Sequence, residues 1–265
     1  MTIVELPSGQ VYVESSGAPD GELVLCVHGL SANCRSFAGK HVVAMDLRGR
    51  GHSQTTASGS FGWANHADDL VALADRYQAA TFGLVGHSMG GFIGLDLAVR
   101  YPQRCRRLVL LDAAGRPEQS ALAPIGKSVA RLGKTYPSVE EYLAQTRANN
   151  VAITWDAFWE AYFRWETVEL PEGGVGLRTS LMAVTEDATY GAGQDVYAWW
   201  PKVHCPTLLL RAARPMAEGV GFVVAAADAA RFAEMPQAKV VEIDANHYTI
   251  VVDPAAIGAI AEFLG

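Results

Sequence analysis

The chain has 265 residues, half of them apolar, with 21 basic and 28 acidic side chains and a net charge of -7. That is enough apolar material for one large core, or for a core carrying an inserted subdomain, and it excludes a disordered protein. The acidic balance, with no basic cluster longer than the CRR run at Cys105 to Arg107, argues against nucleic acid and anionic membranes as partners.

The N-terminal MTIVELPSGQVYVE alternates apolar and polar residues around Pro7 to Gln10, as a hairpin does. It has no basic segment leading into an apolar one, so no signal peptide is expected. No apolar run approaches the roughly 20 residues needed to cross a bilayer. Cys26, Cys34, Cys105 and Cys205 lack C-x-x-C spacing and any histidine at metal-ligand spacing. Buried free thiols in a cytoplasmic protein, with no metal site, are the expectation.

Short apolar runs begin at Glu22 (ELVLCV), His41 (HVVAMD), Phe82 (FGLVG), Arg107 (RLVLL), Thr207 (TLLLR) and Lys239 (KVVEI). Between them, DDLVALADR from Asp68 and MGGFIGLDLAVR from Met89 space apolar residues as helices do. This alternation reads as a largely parallel sheet with helices on its faces. One crossover, Ser31 to Val43, leaves only about ten residues where a dozen or more are usual, so residues missing near Phe37 and Ala38 are suspected.

From Arg116 to Trp200 the strand-like runs stop, and WDAFWEAYFRW with YAWW holds five of the six tryptophans. A mostly helical insertion over residues 116–200 is expected, splitting a core made of 1–115 and 201–265. Its aromatic residues, Trp155, Trp159 and Tyr162 among them, either pack a helical layer or line a substrate pocket, to which Tyr248 is added from the C-terminal side. The aromatic content points to an uncharged, partly apolar substrate of modest size.

The strongest signal is LVGHSMGG, Leu84 to Gly91, a G-x-S-x-G between an apolar strand and an amphipathic helix. A serine hydroxyl is a poor nucleophile, so the chain must lift Ser88 clear of the sheet and present it to a base. Only a very tight turn does this, and tightness requires Gly86 and Gly90. Such a turn leaves the Met89 N–H at a helix N-terminus, facing any developing negative charge.

Here the chain resembles the α/β-hydrolase family, a mostly parallel eight-stranded sheet flanked by helices with an inserted helical cap. VLCVHGL, Val24 to Leu30, is similar to the family loop whose residue after His-Gly gives the second oxyanion N–H, here Leu30. DLRGRGHS, Asp46 to Ser53, resembles a structural turn, which makes Asp46, Arg48 and His52 scaffold residues. Of seven histidines, His28 and His87 belong to these motifs, His52 to the turn, His41 and His204 flank strands, and His66 lies on a helix. His247, after the last strand in VEIDANHY, stands where the family brings its base to the serine.

The family order is serine, acid, histidine, and the acid usually follows the strand that begins here at Thr207. That place holds Ala212, Ala213 and Arg214. Asp112, ending the neighbouring strand, is the preferred acid. Asp228, which also reads as a helix N-cap, is the rival, and Glu218 or no acid is the remainder. Arg211 and Arg214 either pair with Asp112, meet an anionic substrate group, or form a surface ion pair with Glu218.

The resemblance implies a serine esterase or lactonase that needs no cofactor and takes a small ester-type substrate. A cofactor-free lyase using the same Ser and His for proton transfer, or a non-catalytic ligand-binding member, stays open. The oligomeric state is not legible.

Overall fold

The computed structural model describes residues 2–17, 21–34, 42–150 and 152–265. The suspected gap near Phe37 and Ala38 lies outside the described residues, as does His41. In chain order the strands are β1 (Thr2–Leu6), β2 (Gly9–Ser15), β3 (Val24–Val27), β4 (Val43–Met45), β5 (Phe82–His87) and β6 (Cys105–Leu111). β7 (Thr167–Glu169) and β8 (Val175–Leu177) form a separate antiparallel pair, and β9 (Thr207–Ala212) and β10 (Ala238–Ile243) return to the main sheet. The main sheet has eight strands in the order β1-β2-β4-β3-β5-β6-β9-β10. β1 and β2 form the expected antiparallel hairpin, β2 meets β4 antiparallel, and the remaining pairs are parallel.

The helices are α1 (Trp63–Arg76), α2 (Met89–Arg100), α3 (Leu122–Val129), α4 (Val139–Asn149), α5 (Ala157–Trp165), α6 (Leu181–Ala192), α7 (Ala226–Ala233) and α8 (Pro254–Leu264). None among the described residues is long and apolar enough to cross a membrane. Successive strand side chains point to opposite faces, and both faces here are apolar. Leu84, Leu108, Leu110 and Leu209 join one core with Leu70 of α1 and Ile93 of α2. Val85, Val109, Leu111, Leu208 and Leu210 join the other, against Ala256 of α8. This is why β5, β6 and β9 read as unbroken apolar runs rather than alternating ones.

Four helices and the β7–β8 hairpin lie in the stretch between β6 and Trp200. Side-chain caps start three of these helices: Ser138 accepts from Glu141 N–H, Asp156 from Trp159 N–H and Ser180 from Ala183 N–H. The hairpin was not anticipated. Its signal is the turn PEGG at Pro171 to Gly174, where Gly173 and Gly174 take positive φ.

Because β3, β5, β6, β9 and β10 run the same way, the loops after their C-terminal ends gather on one edge of the sheet. Two neutral histidines are built into that edge. His28 donates from Nδ1 to the Gly29 carbonyl (2.8 Å) and accepts the Leu47 N–H at Nε2 (3.0 Å). Burial pulls His28 and His87 down to about 3, while burial pushes Asp46 up to about 6.

These shifts set the acid limb of stability. Below pH 6.5 the unfolded chain takes protons on both imidazoles that the folded chain refuses, so stability is lost progressively toward pH 3. Asp46 opposes this, since folding favours its protonated form between pH 6 and 3.8, but one group is outweighed by two. A net loss on the order of 4 kcal/mol by about pH 4 is expected. Calorimetry across this range checks it, and a melting temperature flat from pH 6.5 to pH 4 would contradict it.

Candidate active site

The turn between β5 and α2 holds Ser88 at φ 53°, a left-handed conformation that costs a non-glycine residue on the order of 1–3 kcal/mol. The glycines around it are required by space. A Cβ on Gly86 would overlap the Gly90 backbone, and one on Gly90 would overlap the Val27 carbonyl. Ser88 N–H donates to the Leu111 carbonyl (3.0 Å), tying the turn to β6. The Met89 N–H lies in the first turn of α2, among the four N–H groups that have no intrahelical acceptor.

Asp112 directly follows β6 and also has positive φ, 48°. It is 1% exposed, and its Oδ1 accepts the Ala212 N–H at 3.0 Å. Its Oδ2 lies 2.8 Å from His247 Nδ1, while His247 Nε2 lies 3.0 Å from Ser88 Oγ. A carboxylate facing Nδ1 selects the tautomer with the proton there, leaving the Nε2 lone pair toward the serine hydroxyl. The three side chains therefore form one continuous hydrogen-bonded chain.

The loop that carries His247 is pinned at both ends. Asn246 Oδ1 accepts the Tyr248 and Thr249 N–H groups, and its amide donates to the Ala152 carbonyl between α4 and α5. His87 Nε2 donates to the His247 carbonyl at 2.7 Å. Low basicity serves His87 here: a neutral ring next to His247 adds no competing positive charge.

Asp228 and Glu218 sit elsewhere. Asp228 is inside the first turn of α7 rather than at its N-cap, which is Ala225. Its carboxylate accepts the Tyr197 hydroxyl (2.8 Å) and faces Arg231 (3.5 Å). Glu218 is exposed. The arginines also differ from expectation. Arg211 donates to the Val224 carbonyl and Glu242 (2.6 Å) and lies over the Phe222 ring. Arg214 pairs with Asp244 on the surface. Neither meets Asp112 or Glu218, because the partners come from β10 and the loop after it, which lie alongside β9.

A cavity of about 440 Å³ opens over Ser88 and His247. Leu30, Trp159, Tyr162 and Tyr248 line it. Trp155 does not; it stacks on Phe163 (5.2 Å between centroids) in a small satellite core. The wall formed by α3 and the turn after it was missed from sequence. It brings Lys127, Ser128, Arg131 and Lys134 to the cavity, with Ser128 Oγ 3.0 Å from Ser31 Oγ. Burial opposes the charge on Arg131, yet Glu166 and the Tyr142 phenol hold its guanidinium above the ordinary value. Lys127 and Ser128 come from the last turn of α3 and Arg131 and Lys134 from the segment after it, so no helical period linked the four in the sequence.

The turn DLRGRGHS is a scaffold. Asp46 accepts the Cys34 N–H (2.8 Å) and the His52 N–H (2.9 Å), and Arg48 pairs with Asp69 of α1 (2.5 Å). All four cysteines are free thiols.

Over nearly its whole length the chain is similar to 2-(acetamidomethylene)succinate hydrolase of Mesorhizobium japonicum, with 28% identity covering 97% of this chain and 92% of that protein. It is 26% identical to 3-hydroxybutyrate-oligomer hydrolase of Cupriavidus necator over 95% of this chain and 91% of that one. Matches at 31 to 40% identity are shorter, and in them the chain spans less than half the length of the curated relatives. The crystal structure of E-2-(acetamidomethylene)succinate hydrolase shares the fold at TM-score 0.85 and 24% identity, covering 99% of this chain and 98% of that one. A family model described as alpha/beta hydrolase fold matches residues 22–254. With that match spanning most of its length, the chain belongs to the α/β-hydrolase fold family.

Proposed function

We propose that this protein is a serine hydrolase that cleaves an acyl bond, an ester or lactone first of all, through a covalent intermediate on Ser88. The observation that carries this is the unbroken contact Ser88 Oγ to His247 Nε2 to His247 Nδ1 to Asp112 Oδ2, at 3.0 and 2.8 Å. In this reading Ser88 Oγ attacks the substrate carbonyl carbon as its proton passes to His247 Nε2. The carbonyl electron pair moves onto oxygen, where the Met89 and Leu30 N–H groups receive it. Each such donor typically contributes on the order of 3 kcal/mol to the transition state. Collapse breaks the bond to the leaving group, which takes the proton from His247. Water then repeats the sequence and releases the acid. Asp112 stays ionised throughout and stabilises the imidazolium. None of these steps draws on a cofactor.

The same chemistry serves an amide, and relatives matched over most of their length are named for an acetamido compound and for 3-hydroxybutyrate oligomers. The charge of the cavity favours a substrate with an anionic end. Apart from the histidines, the charged residues lining it are Lys127, Arg131 and Lys134, and no Asp or Glu lines it among the described residues. Arg131 is matched by Glu166, so in a chain of net charge -7 Lys127 and Lys134 are the cations that place positive potential at the cleft. The uncharged substrate inferred from the aromatic content gives way to a small, partly apolar carboxylate-bearing one.

Three outcomes are expected. A fluorophosphonate probe labels Ser88, and a short p-nitrophenyl ester is turned over; no labelling together with no turnover would remove the hydrolase reading. Asp112→Asn lowers kcat on the order of 10⁴ with the fold intact, while Asp228→Asn leaves it near wild type. The reverse order in steady-state kinetics would reassign the acid. Between a monoester of a dicarboxylic acid and its uncharged isostere, kcat/KM favours the anion by on the order of tenfold at low salt. Lys127→Gln with Lys134→Gln removes that preference, and equal rates in the unaltered protein would argue for a neutral substrate.

A further inference from the structure

Arg50, His66 and Asp187 are three ionisable side chains, all at 0% exposure, with Asp187 in contact with the other two. They come from three places: the turn after β4, helix α1, and helix α6 in the inserted stretch. Arg50 Nη1 lies 2.6 Å from Asp187 Oδ2. The same carboxylate contacts His66 Nε2 at 2.9 and 3.1 Å and accepts the Gly62 N–H at 2.6 Å. Both oxygens of Asp187 thus face donors, as a buried carboxylate requires.

The rest of the guanidinium is aimed at the backbone. Nη1 donates to the Arg48 carbonyl at 3.0 Å. Nε and Nη2 together donate to one acceptor, the Leu30 carbonyl, each at 3.2 Å. Leu30 lines the cavity with Ser88 and His247, and in the proposed function its N–H is the second oxyanion donor. Fixing a residue's carbonyl leaves only its own φ and ψ to orient its N–H. A planar fork holds that carbonyl in direction as well as distance, which a lysine cannot do.

We infer that Arg50, held by Asp187, is a positioning residue for the oxyanion contact, so that the seating of α6 in the insertion governs transition-state stabilisation at Leu30. This rests on the serine-hydrolase reading. Arg50 and Asp187 are both fully buried and line no part of the cavity over Ser88, so they touch no substrate. Of their contacts, the one that reaches the cavity lining is that of Arg50 with the Leu30 carbonyl, so the effect on catalysis falls on the transition state rather than on ground-state binding.

The test uses the full chain with Arg50→Lys and Asp187→Asn. For each, kcat and KM on a p-nitrophenyl ester are measured beside the inhibition constant of a trifluoromethyl ketone, whose adduct carries the oxyanion, and the Kd of the product acid, which does not. Circular dichroism reports the fold. For Arg50→Lys we expect kcat to fall 10- to 100-fold, part of the effect of losing a whole donor. Inhibitor affinity should fall in parallel, with KM and product Kd moving less than threefold. Asp187→Asn, which keeps the shape and one acceptor, should shift the same quantities in the same pattern, and it decides the matter if Arg50→Lys does not fold. Folded variants with unchanged kcat, or variants in which product affinity falls as much as kcat, would overturn the inference. An unaltered protein inert to the ester and the ketone would instead remove the hydrolase reading beneath it.

Discussion

The contact between Asp112 and His247 depends on a register that the sheet sets long before any chemistry. Parallel pairing aligns Leu111 with Leu210, so the chain leaves β6 and β9 at the same level, and Asp112 can take the Ala212 N–H with one oxygen. Its other oxygen is then directed toward His247. A slip of one residue would turn Leu108 to Leu111 to the opposite faces and break both cores at once. Packing of apolar side chains on the two faces therefore holds the carboxylate in place, and the positive φ of Ser88 and Asp112 persists because the surrounding strands over-determine it.

Away from water, this chain meets each ionisable group with donors, with opposite charge or by keeping it neutral. Asp46 is surrounded by backbone N–H donors, His28 and His87 are kept neutral, and Arg131 is matched to Glu166 and Tyr142. The Arg50, His66 and Asp187 cluster is the deepest of these arrangements, with all three at 0% exposure. Buried pairs of this kind contribute little net stability, whereas removing one partner is strongly destabilising. Two of these groups reach the edge where Ser88, Leu30 and His247 meet: Arg50 at the Leu30 carbonyl and His87 at the His247 carbonyl.

Much of this was legible in the sequence because it depends on local rules. Unbroken apolar runs announced strands buried on both faces, and G-x-S-x-G with its flanking strand and helix announced the elbow. The empty position after β9 directed attention to Asp112, which stands 2.8 Å from His247. What was not legible depends on distant pairing. Arg211 and Arg214 find acids on or just after β10, a partner that only the strand order supplies. His66 read as an ordinary helical residue because Asp187 is 121 positions away. Trp155 looked like a pocket residue by composition, but it stacks on Phe163 in the satellite core instead. The β7–β8 hairpin was hidden by three-residue strands too short to show a period.

The proposed covalent acylation of Ser88 separates acyl transfer from proton-transfer chemistry at the same residues. Quenching the protein in acid during steady turnover of an ester, then weighing its peptides, tests this most directly. The peptide containing Ser88 is expected to be heavier by the acyl group, with the adduct absent from Ser88→Ala. Substrate consumed at the full rate with that peptide never acylated, even at the earliest quench, would contradict it.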